Sequence, residues 1–330
     1  KFFVTSLAPI FLNFFLIIAL LFPNLNILDR GFLLSFSVSL SGFVNFVLIF
    51  YVLRKLNFSL RFKKSNNNGP LKDFSKLALP QTFSGFATQF NILVSGFISS
   101  FREGGISILY YAERLYQLPL ALIGISIGTV ILPYLASLNI RNQKDKIIGL
   151  LSTTFKIALS LIIPAAFGLI FLSEIIVSVI YEYGIFGEYE VKEVSNVLVG
   201  FSFGLPAYVL IRIFSSVFYS MADTKNPLKY SLIAIGINIT LSVPLFVNFG
   251  VVGIAYATSL SAWVHLIIIF VKLRRLKLIL INMQIFTEII KIIFSSLIML
   301  LIIKMLIHNI YFLYPVISLL IFVLVGMISY

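Results

Sequence analysis

The chain has no cysteine, so thiol catalysis, cysteine-ligated zinc and disulfide stapling are all excluded. It is nearly as poor in charge: DEKR residues make up 11% of 330 residues, against roughly 25% in soluble globular domains. Acidic residues number only 12 and histidines two. His265 and His308 stand far apart, with no HExxH pattern or acidic cluster to hold a metal. No P-loop pattern occurs, and no catalytic constellation is legible. So few charges cannot cover the surface of a soluble protein this large. What the sequence has instead is 60% hydrophobic residues in long continuous runs, which places it in a bilayer.

A helix needs about 20 apolar residues to cross the hydrocarbon core. Ten spans meet that measure: 4–23, 31–53, 77–100, 107–137, 147–173, 192–221, 229–248, 250–271, 284–306 and 309–330. Unbroken rather than alternating hydrophobicity rules out a membrane β-barrel and predicts an all-α polytopic protein. The net charge of +13 does not form the basic face of a nucleic-acid reader. It comes from loops. Sixteen basic residues lie on one side of the spans, in the clusters beginning at Arg54, Arg141, Lys225 and Lys272. The alternate loops carry three, Arg30, Arg102 and Lys192, so the sixteen are cytoplasmic by the positive-inside rule.

The sequence also repeats itself. Residues 39–56, SLSGFVNFVLIFYVLRKL, align without a gap to 259–276, SLSAWVHLIIIFVKLRRL, with nine identities in eighteen. Spans one and two therefore correspond to spans seven and eight, six helices apart and parallel, as in several transporter folds. Spans three to eight then form a six-helix unit, and one and two the end of an earlier unit whose first four helices are missing here. A start at Lys1 also reads as a piece of something longer. The domains expected are 1–56, the last two helices of an N-terminal lobe; 57–76, a basic cytoplasmic linker; 77–277, a six-helix lobe; and 278–330, two further helices.

Charges within spans are functional candidates by default. Glu113 and Arg114 stand in span four, Lys156 in span five and Arg212 in span six. Lys156 can snorkel to the cytoplasmic surface, and Arg212 can either snorkel or line a cavity. Arg114 lies about 10 Å inside the outer end at 1.5 Å per residue. Helical spacing puts Tyr110, Arg114, Gln117, Ala121, Gly124 and Gly128 on one face, polar above and small below. Pro119 should kink that helix beside the arginine. Two readings are open: a cationic, water-filled cavity for an anionic ligand, or a structural Arg114–Glu113 pair.

The stretch SILYYAERLYQLPLALIGISIGTVILPYLAS (107–137) resembles the signature of the lipid II flippase family MurJ (MviN). FYSMADTKNPLK (218–229) and LALPQTFSGFATQFNILVSGFISS resemble other parts of the same family. The resemblance implies helices five to fourteen of a fourteen-helix, two-lobe, alternating-access transporter of the multidrug/oligosaccharidyl-lipid/polysaccharide exporter superfamily, and not an enzyme. It implies a bacterial inner-membrane protein that moves lipid II, an undecaprenyl-diphosphate-linked precursor of peptidoglycan, between leaflets. Arg114 then matches the essential cavity arginine and Glu113 its neighbouring acid, with Gln117, Tyr110, Tyr111 and Arg212 also lining the substrate cavity. Residues 284–330 match the helices that form a lipid-tail groove. Some members bind sodium in the second lobe, where the matching positions are Asn91, Asn238, Ser242 and Thr258. No cofactor is expected; coupling to sodium or to the membrane potential stays open. Lipid II and membrane lipids are the expected partners of a monomer, without nucleic acid. The alternatives are a polysaccharide-unit flippase, a drug or cation antiporter of the same superfamily, or a non-transporting membrane scaffold.

Overall fold

The computed structural model describes residues 8–22, 26–55, 69–278, 283–310 and 315–330. They fold as helices, in two compact units, residues 1–68 and 69–330. In the first, α1 (Ala8–Leu20) packs along α2 (Ile27–Lys55). The second begins with α3 (Gly69–Ser99) and α4 (Gly105–Pro119), and a π-helical segment (Leu120–Ile125) joins α4 to α5 (Ser126–Ile140). Next come α6 (Lys144–Phe171), the short α7 (Ser173–Tyr181), α8 (Glu188–Ser202) and α9 (Leu205–Ser220). The unit is completed by α10 (Lys225–Phe249), α11 (Val251–Arg275), α12 (Met283–Ile310) and α13 (Pro315–Ser329).

Among the described residues, six helices are long and apolar enough to cross a membrane, and α8 with α9 makes a seventh if that bent pair is one span. Three shorter apolar helices, Ile10–Leu20, Gln89–Ser99 and Ile317–Ser329, fall where the first, third and tenth spans are expected. The protein is thus a polytopic all-α membrane protein. Three details differ from expectation. Helix α3 starts at Gly69, inside the stretch expected to be linker, while 57–68 lies outside the described residues. Nine residues after the fifth span form α7, which brevity hides from a 20-residue hydrophobicity count.

The third difference is a break. The span expected at 192–221 bends by 41° between α8 and α9. Its cause is in the sequence: Pro206 has no N–H to offer the carbonyl of Ser202, and its ring crowds the turn before it. The Gly204 N–H goes to the Phe201 carbonyl at 2.9 Å, so the Gly200 and Phe203 carbonyls need other donors. Helix α11 supplies them: Ser259 Oγ donates to Gly200 at 2.6 Å, and Trp263 Nε1 to Phe203 at 3.1 Å. Positions 259 and 263 are one turn apart, so one face of α11 braces both sides of the break.

Helix α11 is the most buried of the six long spans. It sits between α8, α9 and α10, and its buried residues Leu266, Ile269 and Leu273 join those of α9 in a common core. Its start lies against α10 so closely that a side chain at Gly253 would run into the Leu245 backbone carbonyl. At the opposite end of the same turn, Gly250 has φ +61° and a Cβ there would meet Arg102 Nη1 at 2.6 Å. Arg102, between α3 and α4, also pairs with Glu193 at 3.0 Å and donates to the Tyr189 hydroxyl at 3.0 Å. That hydrogen bond to Tyr189, ahead of the attraction of Glu193, raises the guanidinium pKa above its ordinary value. One side chain thereby ties together three connections on the side expected to be periplasmic.

Candidate functional site: a polar track and cavity in the second unit

The track begins on α4. Tyr110 and Arg114 are exposed, Arg114 Nη2 donates to the Tyr110 hydroxyl at 2.6 Å, and its guanidinium carbon sits 4.5 Å from that ring's centroid. No carboxylate lies within 4.0 Å of Arg114 among the described residues, so Glu113 is not its ion-pair partner. Glu113 is half-buried and turned toward the side on which Tyr116 and Tyr208 lie. Tyr111 also points inward, where its ring packs on Tyr181 and Phe186 with centroids 4.8 and 5.5 Å away. The structure therefore separates two adjacent tyrosines: Tyr110 accompanies Arg114, whereas Tyr111 belongs to an aromatic cluster. Gln117, one turn below Arg114, is half-buried.

The expected single stripe from Tyr110 to Gly128 is split. The π-helical segment after Pro119 holds one residue more than an α-helical stretch of the same length, which turns the remainder of the span by about 100°. Gly124 is buried against Val209, and Gly128 lies next to Arg212 and Ser216 of α9. The exposed face that carries Arg114 and Ala121 continues instead through Ile125 and Thr129. Those two residues line a cavity of about 730 Å³ within the second unit. One helix face thus leads from Arg114 into the cavity.

Arg212, Ser215 and Tyr219 of α9 share a helix face and line the cavity. Thr258, Ser261 and His265 do the same from α11. Arg212, for which the sequence left snorkelling and cavity lining open, is among the residues that line the cavity. Lys156 does not join them: it pairs with Glu288 of α12 at 3.6 Å, a partner that span-by-span reading did not find. Among the described residues, no aspartate or glutamate lines the cavity. Of the four residues matching a sodium site, Asn91, Asn238 and Ser242 form a hydrogen-bond chain, while Thr258 bonds its own helix. Asn238 Nδ2 donates to Asn91 Oδ1 at 2.8 Å, Ser242 Oγ to Asn238 Oδ1 at 3.2 Å, and Thr258 Oγ1 to the Ile254 carbonyl at 2.9 Å. Each of the two amide oxygens accepts one hydrogen bond, and the four residues supply amide and hydroxyl oxygens without a carboxylate.

Sequence reasoning missed His265, Tyr208 and Tyr219 because nothing in a single span shows which face meets a neighbour. The Gly204–Leu205–Pro206 run was the available signal for the break that aims α9.

Comparison with known proteins places this architecture. A solved structure of the lipid II flippase MurJ in an inward-closed conformation superposes with a TM-score of 0.79 at 27% identity, covering 100% of this chain and 66% of that one. An outward-facing MATE multidrug-resistance transporter shares the fold, with a TM-score of 0.53 at 18% identity over 72% of this chain and 55% of its own. A probable lipid II flippase MurJ of Rhizobium meliloti is 33% identical over 83% of this chain and 52% of its own length. That of Rickettsia prowazekii is 36% identical over 81% and 52%. The chain spans about half the length of the curated relatives it matches. The family model for lipid II flippase MurJ matches residues 1–325, and with it the chain belongs to the MurJ family.

Proposed function

We propose that the chain acts within a lipid II flippase of the bacterial inner membrane, carrying the undecaprenyl-diphosphate-linked precursor from the cytoplasmic to the periplasmic leaflet by alternating access of two lobes. The observation that carries the reading is Arg114, exposed within a membrane span with no carboxylate partner among the described residues. A bare guanidinium facing lipid costs at least about 2.5–3.5 kcal/mol, so this face meets water or an anionic ligand. Among the described residues, the cavity into which the face leads is lined by a cation and hydroxyls and no acid, which suits a diphosphate and disfavours the cationic substrate of a drug antiporter.

The test is complementation of flippase-depleted cells, with immunoblots and a measure of lipid II at the outer leaflet. Arg114→Ala removes charge and donors and should abolish export at normal protein level. Arg114→Lys keeps charge without the planar fork and should retain part of it. Normal export by a stable Arg114→Ala protein refutes the reading. Loss of protein rescued by adding Glu113→Ala would assign Arg114 to a structural pairing instead.

A further inference from the structure

We propose that the π-helical turn between Leu120 and Ile125 is a movable joint, and that its migration along the span opens and closes the passage between Arg114 and the cavity. The inference takes from the flippase reading only what passes; the joint itself stands on helix geometry.

The span offers two ways of continuing the face of Arg114. With the extra residue held at Leu120–Ile125, that face runs on through Ile125 and Thr129. In an uninterrupted α-helix it runs through Gly124 and Gly128, the stripe that the sequence alone predicts. Moving the turn toward Pro133 changes the first arrangement into the second. Only the residues it passes rotate, by about 100° each, while α4 and the part of α5 beyond Pro133 keep their packing. The side chains of Ile125 and Thr129 then leave the passage and two glycines take their place, which widens it.

Three features suit the span to this motion. Pro119 and Pro133 bound the track, because a proline has no N–H to pass from the fourth carbonyl back to the fifth. Between them, hydroxyls cover carbonyls that lose an amide partner as the turn goes by. Ser126 Oγ donates to the Ala121 carbonyl, five residues back, at 3.3 Å, and Thr129 Oγ1 to that of Ser126 at 2.9 Å. Gly128 has no side chain to carry past α9, where a Cβ would lie 3.8 Å from Ser216 Oγ, an ordinary contact.

Helix α9 holds the turn in its present place. A Cβ at Gly124 would come within 3.2 Å of Val209 Cγ2, tighter than ordinary contact. Migration brings Ile123 round to that direction, so α9, which presents Arg212 to the cavity, has to draw back. The joint thereby couples the width of the passage to the position of a neighbouring helix.

The test takes the joint away. Deletion of Leu122 removes the extra residue, whereas Gly128→Ala puts a methyl into the widened passage and makes only ordinary contacts in the present arrangement. In flippase-depleted cells carrying full-length versions, both should reach the parent's protein level; the deletion should lose lipid II export and Gly128→Ala part of it. Hydrogen exchange in nanodiscs reads the motion without transport. Amides 126–132 should exchange faster than those of 209–217 in α9, and deleting Leu122 should slow them to the α9 rate. A deletion variant that exports normally, or one whose amides 126–132 exchange as in the parent, overturns the joint and leaves the flippase reading standing. Should the deletion protein fail to accumulate, parent-like export by Gly128→Ala overturns it instead. A parent that exports no lipid II, while its amides still show the difference, defeats the flippase reading and not the joint.

Discussion

The brace across the α8–α9 break can be weighed. Ser259→Ala deletes the donor to the Gly200 carbonyl, a 2.6 Å bond between two buried groups that water cannot replace. An unsatisfied buried carbonyl costs about 1–3 kcal/mol. The Tyr208 hydroxyl loses its 3.4 Å neighbour as well, a contact too long to add much. Trp263→Phe removes the bond to Phe203, but that carbonyl is exposed, so water substitutes and the loss should stay near 0.5–1 kcal/mol. Because both donors hold the same bend, the double variant should depart from the sum of the singles by at least about 0.5 kcal/mol. Equilibrium unfolding in mixed micelles gives all three differences. If Ser259→Ala is as stable as the parent, or if Trp263→Phe is the more damaging change, the break is not braced as argued.

Gly253→Ala should destabilise the protein by about 1–3 kcal/mol or more, since the new methyl meets the Leu245 backbone and not a side chain able to turn away; unfolding in the same micelles checks it. Arg102→Ala should loosen three connections at once and raise amide exchange around Glu193 and Gly250, whereas Arg102→Lys should keep the ion pair but lose the reach to Tyr189; hydrogen-exchange mass spectrometry separates the two. In this cysteine-free chain, Ile185→Cys should be labelled from outside intact cells and Asn142→Cys only after permeabilisation, and the reverse pattern would invert the topology.

Hydrophobic run length carried the membrane architecture because a bilayer imposes one dimension on every crossing helix, and ten runs met it. The same measure could not separate α8 from α9, since Gly204 and Pro206 interrupt hydrogen bonding and not hydrophobicity. Arg114 was legible because an ionised group in a span is rare enough to stand out alone. His265 was not: that it lines a cavity shows only once α9, α10 and α11 are packed together. The stripe below Pro119 was misread for a narrower reason. A strict 3.6-residue period was carried through a segment whose hydrogen bonds skip five residues, so Gly124 was set on the exposed face although it is buried against Val209, while Gly128 still reaches the cavity.

That extra residue also sets how the chain tolerates changes in length. Elsewhere in a packed helix such as α9, removing one residue would swing half of a buried face by about 100° and leave it facing the wrong neighbours. Between Leu120 and Ile125, one residue can be lost and a plain α-helix closes over the gap, with Arg114 above and Thr129 below keeping their directions. The span that carries the arginine therefore contains its own expansion joint.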